Sequence, residues 1–456
     1  MRIALINPRG AYVAKNRWMK EFMHEHRTSF RSWMIPNLGL LTLAGMTPPE
    51  MEVEYFDENF GSLDLQGEFD LAAFSGMTQQ VSRAYAIAQR FRARGVHTVI
   101  GGPHATVLPQ EAQRYVDTVI VGEAEGVWTR FLEDFAAGAP QRIYLNDRLE
   151  KVELSDSPVP RYDLIPASFY QPSADYRMIP VQTTRGCPRD CDFCSVPQVY
   201  GKVFRVKKVP QVIADVEAAS KVSNGFLILF SDDNMFLNRR FSKELLRALI
   251  PMKIRYMAQS DIGIAKDDAL LRLMYESGCV MVLIGLESLS LDTLNTVDGF
   301  KAKMLHRYAE YVEKIQSFGI AVLGAFILGF DHDDPTTFQK IEDFVRENSI
   351  YPQITIATPL PRTAFTDRLS REGRLPGATY WDRCTYYDAI FEPRHMGKEE
   401  LERGVARLHQ NLLNPEASAQ RRSYFRGVMR QLQGKNLYRW PQAAPPNSVH
   451  YGMSVL

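Results

Sequence analysis

The sequence is short of several things, and each shortage excludes a class. It lacks an excess of either charge: 54 Lys plus Arg face 53 Asp plus Glu, for a net charge of +1. No global basic field is therefore available to hold a nucleic-acid backbone. It lacks any stretch near 18 uninterrupted apolar residues, so no membrane-spanning segment is expected. The opening Met1-Arg-Ile-Ala-Leu-Ile-Asn-Pro8 is too short an apolar run for a secretory signal, and the expected location is the cytosol. Repeats of 20–50 residues and low-complexity tracts are absent. No G-x-G-x-x-G follows a strand, so a nicotinamide dinucleotide site lacks its usual fingerprint. Cysteine is scarce, five in 456 residues, and the odd count is no disulfide framework.

What is present is ordinary globular composition, 45% hydrophobic and 23% charged, over a length that suits two to four domains. Strand-like runs at 2–7, 51–57, 70–75, 96–100 and 118–121 alternate with helical periodicity, clearest at 82–94 and 127–136. Glycine recurs at the strand ends. This pattern reads as an open parallel α/β sheet, in which ligands sit beyond the C-terminal strand ends. Residues 141–177, with Ser155-Asp-Ser-Pro-Val-Pro160, read as a linker. A second alternation follows. Its strands are expected at 181–184, 225–230, 254–259, 280–285, 320–328 and 354–358, its helices at 209–221, 241–249, 267–277, 302–318 and 335–348. Six βα units suit a partial parallel barrel with its active residues at the strand C-termini. The expected division is 1–140, 141–177, 178–392 and a helical C-terminal region at 393–456, whose Arg-rich stretch Gln420-Arg421-Arg422 reads as a solvated helix face.

Three of the five cysteines stand directly after the first barrel strand, in Thr184-Arg185-Gly186-Cys187-Pro-Arg-Asp-Cys191-Asp192-Phe193-Cys194. The C-x3-C-x2-C spacing lets three thiolates converge on one centre. A four-iron cube takes one thiolate per iron, so three ligands leave one iron open to a small molecule. Zinc is the metal alternative, but a structural zinc site closes with a fourth Cys or His, and none lies nearby in sequence. Three buried structural cysteines are the plainer alternative. Cys279 and Cys384 read as core thiols.

This motif, with an aromatic before its last cysteine at the head of a partial barrel, resembles the radical S-adenosylmethionine (SAM) enzymes. The resemblance implies a 4Fe-4S cluster on Cys187, Cys191 and Cys194 that chelates and reductively cleaves SAM to a 5′-deoxyadenosyl radical. It also implies SAM contacts from Phe193, from Ser231, Asp232 and Asp233 at the second strand end, from Gln259 and Ser260 at the third, and from Glu287 at the fourth. An acidic cap for the following helix is the competing role at 231–233. Arg362 stands where relatives usually carry glycine. It would meet an anionic substrate group or point into solvent, and solvent is the favoured reading.

A Rossmann-like domain ahead of such a barrel resembles the cobalamin-binding subclass, class B methyltransferases among them. The resemblance spans about residues 1–430. It rests on Pro36-Asn-Leu-Gly-Leu-Leu41, Ser75-Gly76-Met77-Thr78-Gln-Gln80, Gly101-Gly102-Pro103-His104-Ala-Thr106 and Gly122-Glu123-Ala-Glu125. It implies cobalamin contacts from Ser75, Gly76, Met77, Thr78, Gly101, Gly102, Pro103, His104, Gly122, Glu123 and Glu125. The D-x-H-x-x-G cobalt-ligand signature is absent. His104 is expected to cap the next helix rather than bind cobalt, and His24 and His26 to form a polar insertion over the cleft without metal.

The function implied is a cobalamin-dependent radical SAM methyltransferase acting on an unactivated carbon of a small-molecule or natural-product substrate. An external low-potential electron donor such as flavodoxin or ferredoxin is implied with it. A non-methylating radical enzyme of the same build (rearrangement, cyclisation, carbon–carbon coupling or aminocarboxypropyl transfer) is the alternative. A corrin or iron–sulfur sensor leaves the open-iron triad unexplained, and a tRNA-modifying enzyme would normally add a basic module.

Overall fold

The computed structural model describes residues 1–10, 14–25, 35–63, 66–146, 153–170, 178–223, 225, 227–377 and 379–434. The expected α/β plan, a parallel sheet followed by a partial barrel, is present. The first six strands are β1 (Arg2–Asn7), β2 (Glu52–Asp57), β3 (Leu71–Ser75), β4 (His97–Gly101), β5 (Thr118–Val121) and β6 (Ile143–Leu145). They form one parallel sheet in the order β2-β1-β3-β4-β5-β6. Such a sheet is covered on both faces, and its strands are near-continuous apolar runs. Alternation divides them: Ile3 and Leu5 of β1 join Leu40, Leu41, Trp128 and Phe131 on one side, Ala4 and Ile6 join Ala84, Ile87 and Phe91 on the other. The Trp128 indole, fully buried, donates to Thr47 Oγ1 at 3.0 Å. Strand order reverses between β1 and β3, which makes the space beyond their C-termini the switch-point crevice.

The second sheet begins with β7 (Met178–Val181). After a two-residue antiparallel ribbon, β8 (Thr184–Arg185) with β9 (Arg205–Val206), it continues through β10 (Leu227–Phe230), β11 (Tyr256–Ser260), β12 (Cys279–Glu287), β13 (Ala321–Leu328) and β14 (Tyr351–Ile356). All six sheet strands run parallel, in the order β14-β13-β12-β11-β10-β7, as an open partial barrel.

The first barrel strand ends three residues earlier than the sequence suggests. Asp232 accounts for this. Its Oδ1 accepts the Thr183 N–H at 2.8 Å, the Thr184 Oγ1–H at 2.8 Å and the Thr184 N–H, which turns the chain out of the sheet and into the ribbon. The expected helix at 302–318 is also divided. Asp298 caps a short helix at Gly299–Ala302, and the main helix starts only at Tyr308–Ser317.

The C-terminal helices Lys398–Leu413 and Pro415–Gly434 pack back on the barrel. His409 Nε2 lies 3.0 Å from the Ile354 carbonyl of β14. Arg421 corrects the expectation of a solvated face: it is buried, and its guanidinium donates at 2.7 Å to the Leu412 carbonyl left open at the preceding helix end. The chain start is tied here too. Asp388 accepts the backbone N–H groups of Lys15 at 2.9 Å and Asn16 at 2.7 Å, and helix Arg17–Glu25 lies against Lys398–Leu413. Among the described residues no helix is long and apolar enough to cross a membrane.

Candidate active site

Both sheets point their C-terminal strand ends at one cavity of about 720 Å³. From the first sheet come Asn7 at the end of β1, Ser75-Gly76-Met77 at the end of β3, Gly101-Gly102-Pro103 at the end of β4 and Gly122-Glu123-Ala124-Glu125 after β5. From the barrel come Phe193 and Cys194 of the cysteine loop, Ser231 and Asp233 after β10, Glu287 of β12, and alternate residues Ala325, Ile327, Gln353 and Thr355 of β13 and β14.

The cysteine loop leaves the ribbon through Gly186, whose φ of +83° lies in the left-handed region. A Cβ there would collide with the Val203 carbonyl oxygen across the loop. Cys187, Cys191 and Cys194 are free and half-buried, whereas Cys279 and Cys384 are buried in the core as expected. Burial pushes all three loop thiols up, Cys194 to about 12, so they are protonated until a metal displaces the protons. Cys191 Sγ donates to Asp298 Oδ2 at 3.1 Å. Among the described residues no group of three donors meets around a single ion. A four-iron cube takes one thiolate on each of three corners, and the three free thiols of this one loop supply that number.

Behind Cys191, Lys301 Nζ is 2.6 Å from Glu287 Oε1 and 3.2 Å from Asp298 Oδ2, all buried. Glu287 has φ +63°, at the irregularity where β12 leaves its register with β13. Asp233 is half-buried on the cavity wall. Burial, with Asp232 beside it, raises its carboxyl to about 7 against the opposing Gly186 N–H and Arg185. Asp232 does not line the cavity; burial raises it to about 6 despite its threonine donors. Gln259 and Ser260 also stand off the cavity, and Ser260 Oγ donates to Asn234 Oδ1 at 3.1 Å. Phe193, Ser231, Asp233 and Glu287 are thus the SAM candidates that the structure brings together.

On the other side, glycine strand ends and small residues leave the floor open. Gly102, at φ +88°, has no room for a side chain: a Cβ would stand 2.8 Å from Ser75 Oγ. Neutral amides of Asn7, Asn37, Asn59 and Gln80 rim the floor. These amides are bonded to one another and to Asp57. The side-chain-free strand ends at Gly76, Gly101, Gly102 and Gly122 leave room for a large flat macrocycle, and the residues present fit a corrin. Thr78 and His104 lie behind this wall. His104 is fully buried, with Nδ1 3.3 Å from Thr78 Oγ1, Nε2 3.2 Å from Glu111 Oε1 and its ring edge-on to Trp381. No histidine is among the described residues lining the cavity. His24 is exposed on helix Arg17–Glu25, and His26 lies outside the described residues. Arg362 is exposed as well, with φ +64°.

The carboxylates of Glu123 and Glu125 are turned toward arginines. Arg185 donates to Glu123 Oε2 at 2.7 Å and Glu125 Oε1 at 2.5 Å, and Arg205 holds both oxygens of Glu123. Sequence reasoning missed Arg185, Arg205 and Lys301. It also missed Tyr386 and Tyr387, which line the cavity from the segment after the barrel.

Comparison with known proteins agrees with this arrangement. Residues 181–345 match the radical SAM superfamily and residues 34–132 the B12 binding domain. The chain is 30% identical over 362 residues to bacteriochlorophyllide d C-8(2)-methyltransferase of Chlorobaculum tepidum, covering 77% of this chain and 79% of that one. It is 29% identical over 406 residues to the C-12(1)-methyltransferase of the same organism, covering 88% and 85%. A solved structure of the radical SAM methyltransferase TsrM from Kitasatospora setae, with cobalamin and a 4Fe-4S cluster bound, has the same fold. It matches with a TM-score of 0.64 at 14% identity, over 91% of this chain and 89% of that one.

Proposed function

Since the chain belongs to the radical SAM enzymes that carry a B12-binding domain, with a 4Fe-4S cluster, SAM and cobalamin as cofactors, we propose that it methylates an unactivated carbon of a small-molecule or natural-product substrate. The observation that carries this reading is the shared cavity on which both sheets converge. A methyl donor and a hydrogen-abstracting centre must act on one carbon, and a shared chamber permits that. When bound, the cofactors supply the one-electron and methyl-transfer chemistry; the chain supplies orientation and exclusion of water.

In this assignment Cys187, Cys191 and Cys194 hold the cluster. Asp233 offers a carboxylate to the ammonium of SAM, with Phe193, Ser231 and Glu287 around it. Asp232 acts one layer behind, fixing the Thr183-Thr184 turn that leads into the cysteine loop. Ser75, Gly76, Met77, Gly101, Gly102, Pro103 and Gly122 form the corrin floor. Ile327, Ile356, Ala357, Leu360, Tyr386 and Tyr387 give the barrel side of the cavity an apolar, partly aromatic wall suited to an uncharged substrate surface. We assign residues 1–140 to the corrin, together with β6 at Ile143–Leu145, which pairs with β5 and carries the first sheet past the expected boundary. We assign the rest of 141–177 to the connection, 178–392 to the radical chemistry and 393–456 to a helical C-terminal region, of which 435–456 lie outside the described residues. The reading includes an external low-potential donor such as flavodoxin or ferredoxin and a reducing, cytoplasmic setting, in keeping with five free thiols.

Anaerobic reconstitution tests it, with an optical spectrum for the corrin and mass analysis of the SAM products. Methylation on carbon should yield both S-adenosylhomocysteine and 5′-deoxyadenosine. 5′-Deoxyadenosine alone, from protein without corrin, would displace methyl transfer.

A further inference from the structure

The loop that carries the three cysteines, residues 186–204, is closed at its neck by the β8–β9 ribbon. In that ribbon Arg185 and Arg205 are register partners. Two like charges directly opposite each other oppose pairing, the more so when buried. Both guanidinia are nonetheless buried, their side chains 9% and 10% exposed. Glu123 sits between them: its Oε2 accepts from Arg185 at 2.7 Å and from Arg205 at 3.1 Å, and its Oε1 accepts from Arg205. Glu125 accepts the second arm of Arg185 at 2.5 Å and a hydroxyl from Ser157 at 3.2 Å. The Arg185 Nε–H donates to Gln182 at 2.7 Å, which completes its fork. These carboxylates do not belong to the barrel. They stand on the turn after β5 in the first sheet, where Asn146 Nδ2 donates to the Glu123 carbonyl at 2.7 Å and Gly122 takes φ +86°. The first sheet thus supplies the negative charge at the root of the cluster loop, one residue before Gly186-Cys187.

We propose that Glu123 and Glu125 are positioning residues for the cluster. They neutralise the facing arginines and hold the neck shut, so that the barrel's cysteines reach cluster geometry only when the cobalamin-binding sheet is docked against them. This assigns the two glutamates to the cluster loop rather than to the corrin. It rests on the assignment of the cluster to Cys187, Cys191 and Cys194.

The test is iron and sulfide content, with the electron paramagnetic resonance signal of the reduced cluster, after anaerobic reconstitution of the full chain. Binding of hydroxocobalamin, followed optically, reports separately on the first sheet. Glu123→Gln keeps shape and an acceptor but removes the charge. It should retain iron roughly 10-fold or more weakly, with an altered signal, while binding hydroxocobalamin as the parent does. Adding Arg205→Gln removes the second positive charge and should restore loading and signal. Should Glu123→Gln alone not accumulate as folded chain, the paired Glu123→Gln/Arg205→Gln protein carries the test, because its neck is again balanced and must load iron. Parent-like iron and signal in Glu123→Gln would overturn the proposal, as would a double variant with no recovery. Cys191→Ala separates the two assignments. If it keeps the cluster, the cysteine assignment fails; if it loses the cluster while Glu123→Gln keeps it, the neck proposal alone fails.

Discussion

Lys301 Nζ lies 2.6 Å from Glu287 Oε1, in a buried group that also holds Asp298 and, through it, the Cys191 thiol. Removing the cation leaves two carboxylates buried against each other. The cost of breaking a buried pair this way is about 3–5 kcal/mol, well above the ~1 kcal/mol of an exposed one. Lys301→Met should therefore lower the urea midpoint of the chain markedly. A loss below about 1 kcal/mol would mean that the carboxylates find other neutralisation.

Gly186 sets the direction of the cysteine loop. Alanine there must hold φ near +83° and collides with the Val203 carbonyl, a backbone atom with little freedom to yield. Gly186→Ala should lose cluster loading with little change in circular dichroism, because the loop contributes little regular structure. Full iron content in this variant would show that the neck tolerates a different exit.

The corrin floor makes a parallel prediction. Gly102→Ala puts a methyl group 2.8 Å from Ser75 Oγ at φ +88°. Titration with hydroxocobalamin should show weakened binding, whereas iron loading, whose ligands lie on the cysteine loop between β8 and β9, should remain at the parent level. Unchanged corrin affinity would move the floor elsewhere in the cavity.

His409 predicts an acid limb. Burial lowers its pKa from 6.5 to about 4, against the opposing pull of the Ile354 carbonyl. The unfolded chain then binds the proton that the folded chain refuses, so stability is full above pH 6.5 and falls as pH drops through 6.5 toward 4. The loss is on the order of 3 kcal/mol at its end. His409→Gln, which keeps a donor for Ile354, should flatten unfolding midpoints measured between pH 6.5 and 4. An unaltered slope would assign that limb to other groups.

Much of the fold is legible in the sequence. Runs 2–7 and 118–121 are β1 and β5 residue for residue, because both are apolar stretches ended by turn residues. Strand β6 escaped notice. Three residues long and next to a Pro- and Ser-rich connector, it is too short to show a period. The cysteine triad was legible because its spacing is local. Arg185–Glu125 and Arg205–Glu123 were not, since partners 60 and 82 residues apart leave no trace in spacing. Asp232 and His104 were visible as polar groups at strand ends. Which way each faces was decided by contacts with Thr183, Thr184, Glu111 and Trp381, which only the folded chain brings near.

The clasp of Asp388 on the amides of Lys15 and Asn16 has its own consequence. It joins positions more than 370 residues apart, so the chain is fastened twice, once by its covalent connection and once by this return. A single cut between the two sheets would leave a nicked assembly whose halves still embrace. Neither sheet can be excised as an independent fragment without tearing away part of the other's wall.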